Sequence, residues 1–379
     1  MSEKEKDVWM IPEDYFRQKF NHPVNILTGV NGSGKSYYLN TLARSYLGYG
    51  CEVIAVATSV YDKFDCRSRR FHFLGGRSGR NIVVKTVKEA LVRAFGEKSN
   101  SISHLLKVLK YTRFGAEIRV QLDGFNYEGL LAAKKGEHSS GIYQALSFLS
   151  FYFDELKSPD VVVVDLEKFS PESSLYKGLG EVIANESILK KMKVIKGVGL
   201  ELDRNSQIIP LSDASSGELM ILSTLMHISS YIDSNSIILI DEPENSLHPR
   251  WQQQYVENIL DLFSYYQPKL IIATHSPLII PLEAEGAGIY EIYDGIAYKI
   301  DQPSNNNEEV LADVFGVVTP ENRFLSDEMV RLLNRLDEDS LQVQEALDVV
   351  NNYRRKSMDE KVLAFLDGVE ALILQTKVG

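Results

Sequence analysis

Only two cysteines, Cys51 and Cys66, occur in 379 residues. That rules out a disulfide framework, and no C-x-x-C step offers zinc a pair of thiolates. Long apolar runs are missing as well: none approaches the ~18–20 residues that cross a bilayer. The opening Met1-Ser-Glu-Lys-Glu-Lys-Asp is charged and has no apolar signal region. A cytoplasmic protein with no membrane segment is therefore expected. Positive charge is in deficit. At a net charge of −11 the chain as a whole is no polyanion-binding surface, so nucleic acid would need a local basic face. The densest basic cluster is Arg67, Arg69, Arg70, Arg77 and Arg80, around a glycine-rich stretch. It reads equally well as a solvated loop or as a contact for phosphate or an acidic partner. There is no internal repeat and no sustained heptad, which excludes a long coiled coil.

What is present is ordinary in bulk: 44% hydrophobic and 25% charged residues, enough for a sizeable core in one large domain or two. The information lies in four short stretches. Val24–Thr28 reads as a strand and runs into Gly29-Val30-Asn31-Gly32-Ser33-Gly34-Lys35-Ser36, a complete G-x-x-x-x-G-K-[ST]. Glycines let backbone N–H groups of such a loop turn inward around phosphates; Lys35 would reach the β- and γ-phosphates and Ser36 would offer a hydroxyl to Mg²⁺. The next helix, Tyr37 to Tyr46, points its amino end at the anion. Tyr37 falls within the nucleotide-contacting span, although Tyr37 and Tyr38 read as packing residues ahead of nucleotide contacts.

Farther along, Ile237-Ile-Leu-Ile-Asp241-Glu242-Pro-Glu-Asn-Ser-Leu-His-Pro249 turns abruptly from apolar to acidic. The run predicts a buried strand with Asp241 and Glu242 at its carboxyl end, where open α/β sheets bind ligands. Leu270–Ala273 repeats the pattern and ends in Thr274-His275-Ser276-Pro277. Glu242 and His275 are one βαβ unit apart, so both can lie on the same sheet edge. Between them and the first loop, Ser215-Ser216-Gly217-Glu218 heads an apolar helical run. Ser215 with Glu218 is a capping box, and a helix start is also an anion site.

The remaining elements are less distinctive. Glu52–Thr58 and Asp160–Asp165 read as buried strands and Glu117–Leu122 as a half-buried one; Asp62 and Lys63 form either a solvated turn or nucleotide contacts. Val8–Met10 suggests an edge strand. Helices are expected at Pro12–Phe20, Val87–Phe95, Ile102–Tyr111, Gly141–Leu156, Leu179–Met192, Arg250–Phe263, Val310–Phe315, Asp327–Leu336, Leu341–Tyr353 and Asp359–Leu374. Hairpins are expected around Asp203–Ser206 and Asp294-Gly295.

In this order the four motifs resemble an ABC-type ATPase, and D-E-P-E-x-x-L-H-P is similar to the SMC-like, RecF-like and OLD-like branch rather than to transporter subunits. The resemblance spans roughly residues 24–300. It implies an α/β fold: a P-loop NTPase with an ABC-type head, a mixed β-sheet flanked by helices, and a helical signature subdomain. The expected division is an ATPase domain at 1–303, with an insert at about 85–215, and a C-terminal helical interaction module at 304–379. The resemblance further implies head-to-tail dimers with ATP between them. Asn31, Gly32, Ser33, Gly34, Lys35, Ser36 and Tyr37 of one chain would hold nucleotide. Ser215, Ser216, Gly217 and Glu218 of the other would close on the γ-phosphate. Ser36 and Asp241 would hold Mg²⁺, Glu242 would be the general base, His275 would sense the γ-phosphate, and Asn245–His248 would link the two sites. Two departures stand out: Ser216 and Glu218 occupy signature positions where transporters carry glycine and often glutamine. The glutamine that completes the Mg²⁺ shell has only Gln121 and Gln144 as candidates.

Four functions follow from the resemblance. The first is the sensor ATPase of an anti-phage defence system of Septu or PARIS type, gating a separate effector. The second is a RecF-like DNA-repair clamp, which the net acidity disfavours. The third is a transporter ATPase, which the SSGE and LHP forms disfavour. The fourth is an ATP-locked scaffold with little turnover.

Overall fold

The computed structural model describes residues 20–59, 61–75, 80–96, 100–156, 160–168, 174–204, 207–245, 247–281, 287–293, 295–300, 323–337, 341–356 and 360–375. The elements expected at Val8–Met10 and Val310–Phe315 lie outside these residues, as do Arg77, the boundary near 303 and all but the end of Pro12–Phe20. In chain order the strands are β1 (Val24–Thr28), β2 (Glu52–Ala57), β3 (Phe71–Gly75), β4 (Glu117–Asp123), β5 (Val161–Asp165) and β6 (Gly197–Arg204). They continue with β7 (Gln207–Pro210), β8 (Ser236–Asp241), β9 (Lys269–Ala273), β10 (Ala287–Tyr293) and β11 (Ile296–Ile300). The helices are α1 (Lys35–Gly48), α2 (Arg80–Gly96), α3 (Asn100–Tyr111), α4 (Tyr127–Ala133), α5 (Ser140–Leu156) and α6 (Ser174–Ala184). After them come α7 (Glu186–Lys191), α8 (Ser216–Tyr231), α9 (Pro249–Leu262), α10 (Arg323–Asp337), α11 (Val343–Lys356) and α12 (Glu360–Gln375).

Seven strands form the main sheet in the order β11-β10-β1-β9-β8-β2-β3. All neighbours in it are parallel except β10 and β11, which make the expected terminal hairpin. The apolar runs of β1, β8 and β9 are buried on both faces because helices cover both. Side-chain alternation sorts the faces. Leu27, Val53, Ala55, Leu239 and Ile271 share a core with Leu39, Leu42 and Tyr46 of α1. Ile26, Ile54, Ile238, Ile240 and Ile272 point the other way, into the core holding Leu222 and Met226 of α8 and Val256 and Ile259 of α9.

A second sheet, antiparallel and ordered β5-β4-β6-β7, is built from the intervening region. Two expectations change here. Asp160–Asp165 reads as a buried strand, yet β5 is the edge of this sheet and alternates, with Val162 and Val164 buried and Val163 half exposed. A four-valine run satisfies either pattern, and only its pairing decides. Leu179–Met192 reads as one helix but is two: the Asn185 amide bonds back to the Glu181 carbonyl at 2.9 Å, and the Glu186 carboxylate leaves to accept from the Val198 N–H at 3.0 Å.

The C-terminal helices α10, α11 and α12 share a core of their own, including Leu325, Met329, Val350, Leu366 and Ile373. No helix among the described residues is long and apolar enough to cross a membrane.

Candidate functional site

The register of the main sheet collects the motifs at one edge. Leu27 of β1 pairs with Ala273 of β9, which pairs with Asp241 of β8, which pairs with Ala57 of β2. The glycine-rich loop, the Thr274-His275 turn and Glu242 therefore all begin within two residues of a single line across the carboxyl ends. Asp62 and Lys63 follow β2 beyond that line; Asp62 is buried and Lys63 exposed.

The loop of Gly29–Gly34 takes left-handed backbone at Gly29, Gly32 and Gly34. At Gly29 glycine is obligatory: a Cβ would lie 2.6 Å from the Ile292 carbonyl oxygen and 2.9 Å from the Ser33 hydroxyl. Lys35 reaches back along the loop, donating to the carbonyls of Gly29 at 2.9 Å and Val30 at 3.2 Å. Burial lowers its pKa to about 8, while Glu242, Asp241 and Glu244 hold it up against that. Gly34 precedes α1 with no side-chain cap, so the N–H groups of the first turn remain available to an anion. The Ser33 hydroxyl is buried without a hydrogen-bond partner. Asn31 is exposed, and so is Tyr37 at 59%, whereas Tyr38 packs into the core.

Asp241 is 1% exposed, and neither carboxylate oxygen has a hydrogen-bond partner. Burial raises its pKa to about 6; the nearby Ser36 hydroxyl and Lys35 oppose the rise, while Glu242 and Glu244 add to it. A buried, unsatisfied carboxylate beside a serine hydroxyl is the donor set a Mg²⁺ ion takes, since Mg²⁺ keeps one or two carboxylates plus phosphate and water. Among the described residues no cluster of three or more His, Cys, Asp or Glu is arranged as an all-protein metal site.

Glu242 leaves the strand with a φ of 52°, left-handed backbone that a non-glycine residue adopts at a cost. Three contacts fix it. Its N–H donates to the Ala273 carbonyl at 2.8 Å, Thr58 donates its hydroxyl to the Glu242 carbonyl, and Asn245 donates to the carboxylate at 3.0 Å. His275 Nε2 lies 3.7 Å from the other carboxylate oxygen. Burial and Lys35 lower the His275 pKa, and Glu242 works against them. A carboxylate held beside an open anion cradle can orient a water and accept its proton.

The signature segment is built differently. Ser215 caps α8, its hydroxyl facing the Glu218 N–H at 3.4 Å, while the Glu218 carboxylate accepts from the Ser215 N–H at 3.1 Å. Arg204 pairs with the same carboxylate. No hydrogen bond or ion pair joins Ser215, Ser216, Gly217 or Glu218 to Gly29–Ser36 among the described residues. Within one chain the structure therefore unites the loop, Asp241, Glu242 and His275, but not the signature. Gln121 lies mid-strand in β4 and Gln144 is exposed on α5, neither of them at the carboxyl ends of the main sheet. Of the arginine cluster, Arg67 and Arg69 are exposed, while Arg70 donates to the Gly50 carbonyl at 3.0 Å and stands 3.9 Å from Glu52.

Sequence reasoning missed three residues: Thr58, Glu244 and Gln252. Glu244 accepts from the His275 N–H at 2.6 Å and the Thr274 hydroxyl at 2.9 Å, and burial raises its pKa. Its signal was visible as the second glutamate of D-E-P-E, to which no role was attached. Thr58 and Gln252 carry no local signal, because their partners are more than a hundred residues away in one case and set by loop geometry in the other.

Residues 135–280 match the family model described as "AAA domain, putative AbiEii toxin, Type IV TA system". Protein ea59 of Escherichia phage lambda is 35% identical over 66 residues, covering 17% of this chain and 13% of that one. The Retron Vc95 probable ATPase of Vibrio cholerae serotype O1 biovar El Tor is 21% identical over 342 aligned residues, covering 67% of this chain and 66% of that one. The chain thus spans under two thirds of either relative. An ATP-binding cassette of an ABC transporter in its ADP conformation aligns over 81% of this chain and 89% of its own, at 14% identity and a TM-score of 0.31. An Smc head domain from Pyrococcus furiosus aligns over 59% and 62%, at 11% identity and a TM-score of 0.24. The strand order of the main sheet and the glycine-rich loop between β1 and α1 make this a P-loop α/β fold, and residues 135–280 within it match the AAA-domain family model.

Proposed function

We propose that the chain binds and hydrolyses ATP between two copies of itself, and that the resulting dimer gates a separate effector as the sensor subunit of an anti-phage defence system. The observation that carries the hydrolytic part is the pairing at the sheet edge. An open phosphate cradle lies on the same register line as a carboxylate without partners, Asp241, and a braced one, Glu242.

The chemistry follows from these positions. Lys35 and the N–H groups of Gly32–Ser36 take the charge of the β- and γ-phosphates. Ser36 and Asp241 would hold Mg²⁺, which when bound neutralises phosphate charge as the transferred group loosens. Glu242 orients a water and accepts its proton as the water oxygen attacks the γ-phosphorus. The bond from that phosphorus to the β-bridging oxygen breaks, and ADP leaves with its electron pair. His275, adjacent to Glu242, reports whether the γ-phosphate is present. Ser215 to Glu218 of a second chain complete the site, which fits their separation from the loop within one chain.

The defence role is supported by the family model's toxin–antitoxin description and by similarity to a retron ATPase. ATP would favour one dimer state through its greater affinity for that state, and hydrolysis would release it.

The test is Mg²⁺-dependent phosphate release by the purified chain beside Glu242→Gln. We expect turnover in the wild type, none in the variant, and ATP binding in both. Unchanged hydrolysis in Glu242→Gln would remove Glu242 from its role. For the defence role, phage challenge of cells carrying the chain with its neighbouring genes should show protection lost in Glu242→Gln; equal plating would contradict it.

A further inference from the structure

Glu244 is placed to act through other residues rather than on a ligand. Strand β9 ends at Ala273, so the His275 N–H has no ladder partner and needs an acceptor. Glu244 provides it: one carboxylate oxygen takes that N–H at 2.6 Å, and the other takes the Thr274 hydroxyl at 2.9 Å. The Thr274 oxygen in turn accepts from the Ser276 N–H at 2.9 Å. A second tie lies on the far side of His275. The Ser276 hydroxyl donates to the Gln252 side-chain oxygen at 2.6 Å, and the Gln252 amide donates to the Leu247 carbonyl at 3.0 Å. The turn after β9 is thereby fastened on both sides of His275 to the segment after β8. That segment also holds Glu242, through Asn245.

We propose that Glu244 is a positioning residue that makes His275 and Glu242 one rigid unit, so that the presence of a γ-phosphate at His275 is felt at Glu242. This rests on the ATPase reading above. A carboxylate suits the task because both of its oxygens accept, and both partners here can donate. Glutamine should serve nearly as well: its oxygen can face the His275 N–H, and its NH₂ can donate to the Thr274 oxygen.

The test measures kcat and KM for ATP, and the Kd for a fluorescent ATP analogue, in wild type, Glu244→Ala, Glu244→Gln, Thr274→Val and the double variant Glu244→Ala/Thr274→Val. Glu244→Ala should lower kcat by about ten- to a hundredfold, the scale of a misplaced catalytic group, with Kd held within about threefold. Glu244→Gln should restore most of the loss. Thr274→Val should cost less than Glu244→Ala and add little to it in the double variant, as expected of groups in one network. A wild-type kcat in Glu244→Ala overturns the proposal. So does a Glu244→Gln as impaired as Glu244→Ala, since the charge itself would then be acting. If Glu244→Ala does not fold, an unimpaired Thr274→Val overturns it instead. A wild type that binds ATP without turning it over sinks the ATPase reading, whereas turnover beside an unaffected Glu244→Ala sinks only the brace.

Discussion

Helices α1 and α8 both begin at a serine- and glycine-containing turn, and they treat their free N–H groups in opposite ways. At α1 the preceding residue is Gly34 in left-handed backbone, no side chain caps the helix, and the nearby Ser33 hydroxyl is buried without a partner. At α8 a capping box closes on itself, and Arg204 neutralises its glutamate. One helix start is left unsatisfied for a ligand; the other is satisfied in advance. A phosphate can enter the first without displacing a side-chain cap. At the second it has to compete with Glu218 for the Ser215 hydroxyl, which bonds the carboxylate at 2.8 Å. That competition would make the signature a conditional partner, engaged only when a second chain delivers the γ-phosphate.

The contrast can be broken or sharpened by substitution. The largest effect is expected at the open start. Lys35→Ala should weaken nucleotide binding at least about a hundredfold, about 3 kcal/mol, through loss of charge-assisted bonds to phosphate. Ser215→Ala should leave single-chain binding unaffected, and calorimetry on both variants reads the difference. Next is Asp241→Asn, which should abolish Mg²⁺-dependent turnover yet stabilise the metal-free fold. The Asp241 pKa is raised to about 6, so folding holds an ionised group that burial disfavours. That penalty is complete above pH 6 and disappears as pH falls toward the unfolded value, so removing the charge should gain about 2–3 kcal/mol at pH 7.5. Denaturant melts in chelator test this, and no gain would contradict the orphaned-carboxylate picture.

A smaller effect lies within α8. His227 is 5% exposed, and burial, with help from Arg93, lowers its pKa to about 4. The unfolded chain then binds the extra proton between pH 4 and about 6.5, so this contribution is complete above 6.5 and is lost as pH falls. From pH 7.5 to 5 it should amount to about 2 kcal/mol. Asp241 works in the opposite sense below pH 6, so the comparison that isolates His227 is wild type against His227→Leu, whose melts should lose this slope. Smallest is the cap itself: Ser215→Ala should cost about 1 kcal/mol of stability.

Much of this contrast was legible in sequence. The glycine-rich loop, the acidic strand end and Ser215 with Glu218 are local patterns, and each has the local structure its spacing implies. That Glu242 and His275 share an edge followed from one βαβ length. What stayed hidden depends on pairing between distant segments. A run of four valines cannot say whether its strand is central or an edge, and β5 proved to be an edge. No pattern marks Thr58 as the residue holding the Glu242 carbonyl, 184 positions away. Glu244 was visible as a letter of a motif, but its function as a brace appears only when the turn after β9 is laid beside it.

The central claim is that the open helix start of one chain and the closed one of another make a single ATP site. The most direct measurement is the solution mass of Glu242→Gln by light scattering, with and without saturating Mg²⁺–ATP. The account predicts twice the single-chain mass with nucleotide, reverting to one chain when Ser215→Ala is added. A single-chain mass at full ATP occupancy would contradict it.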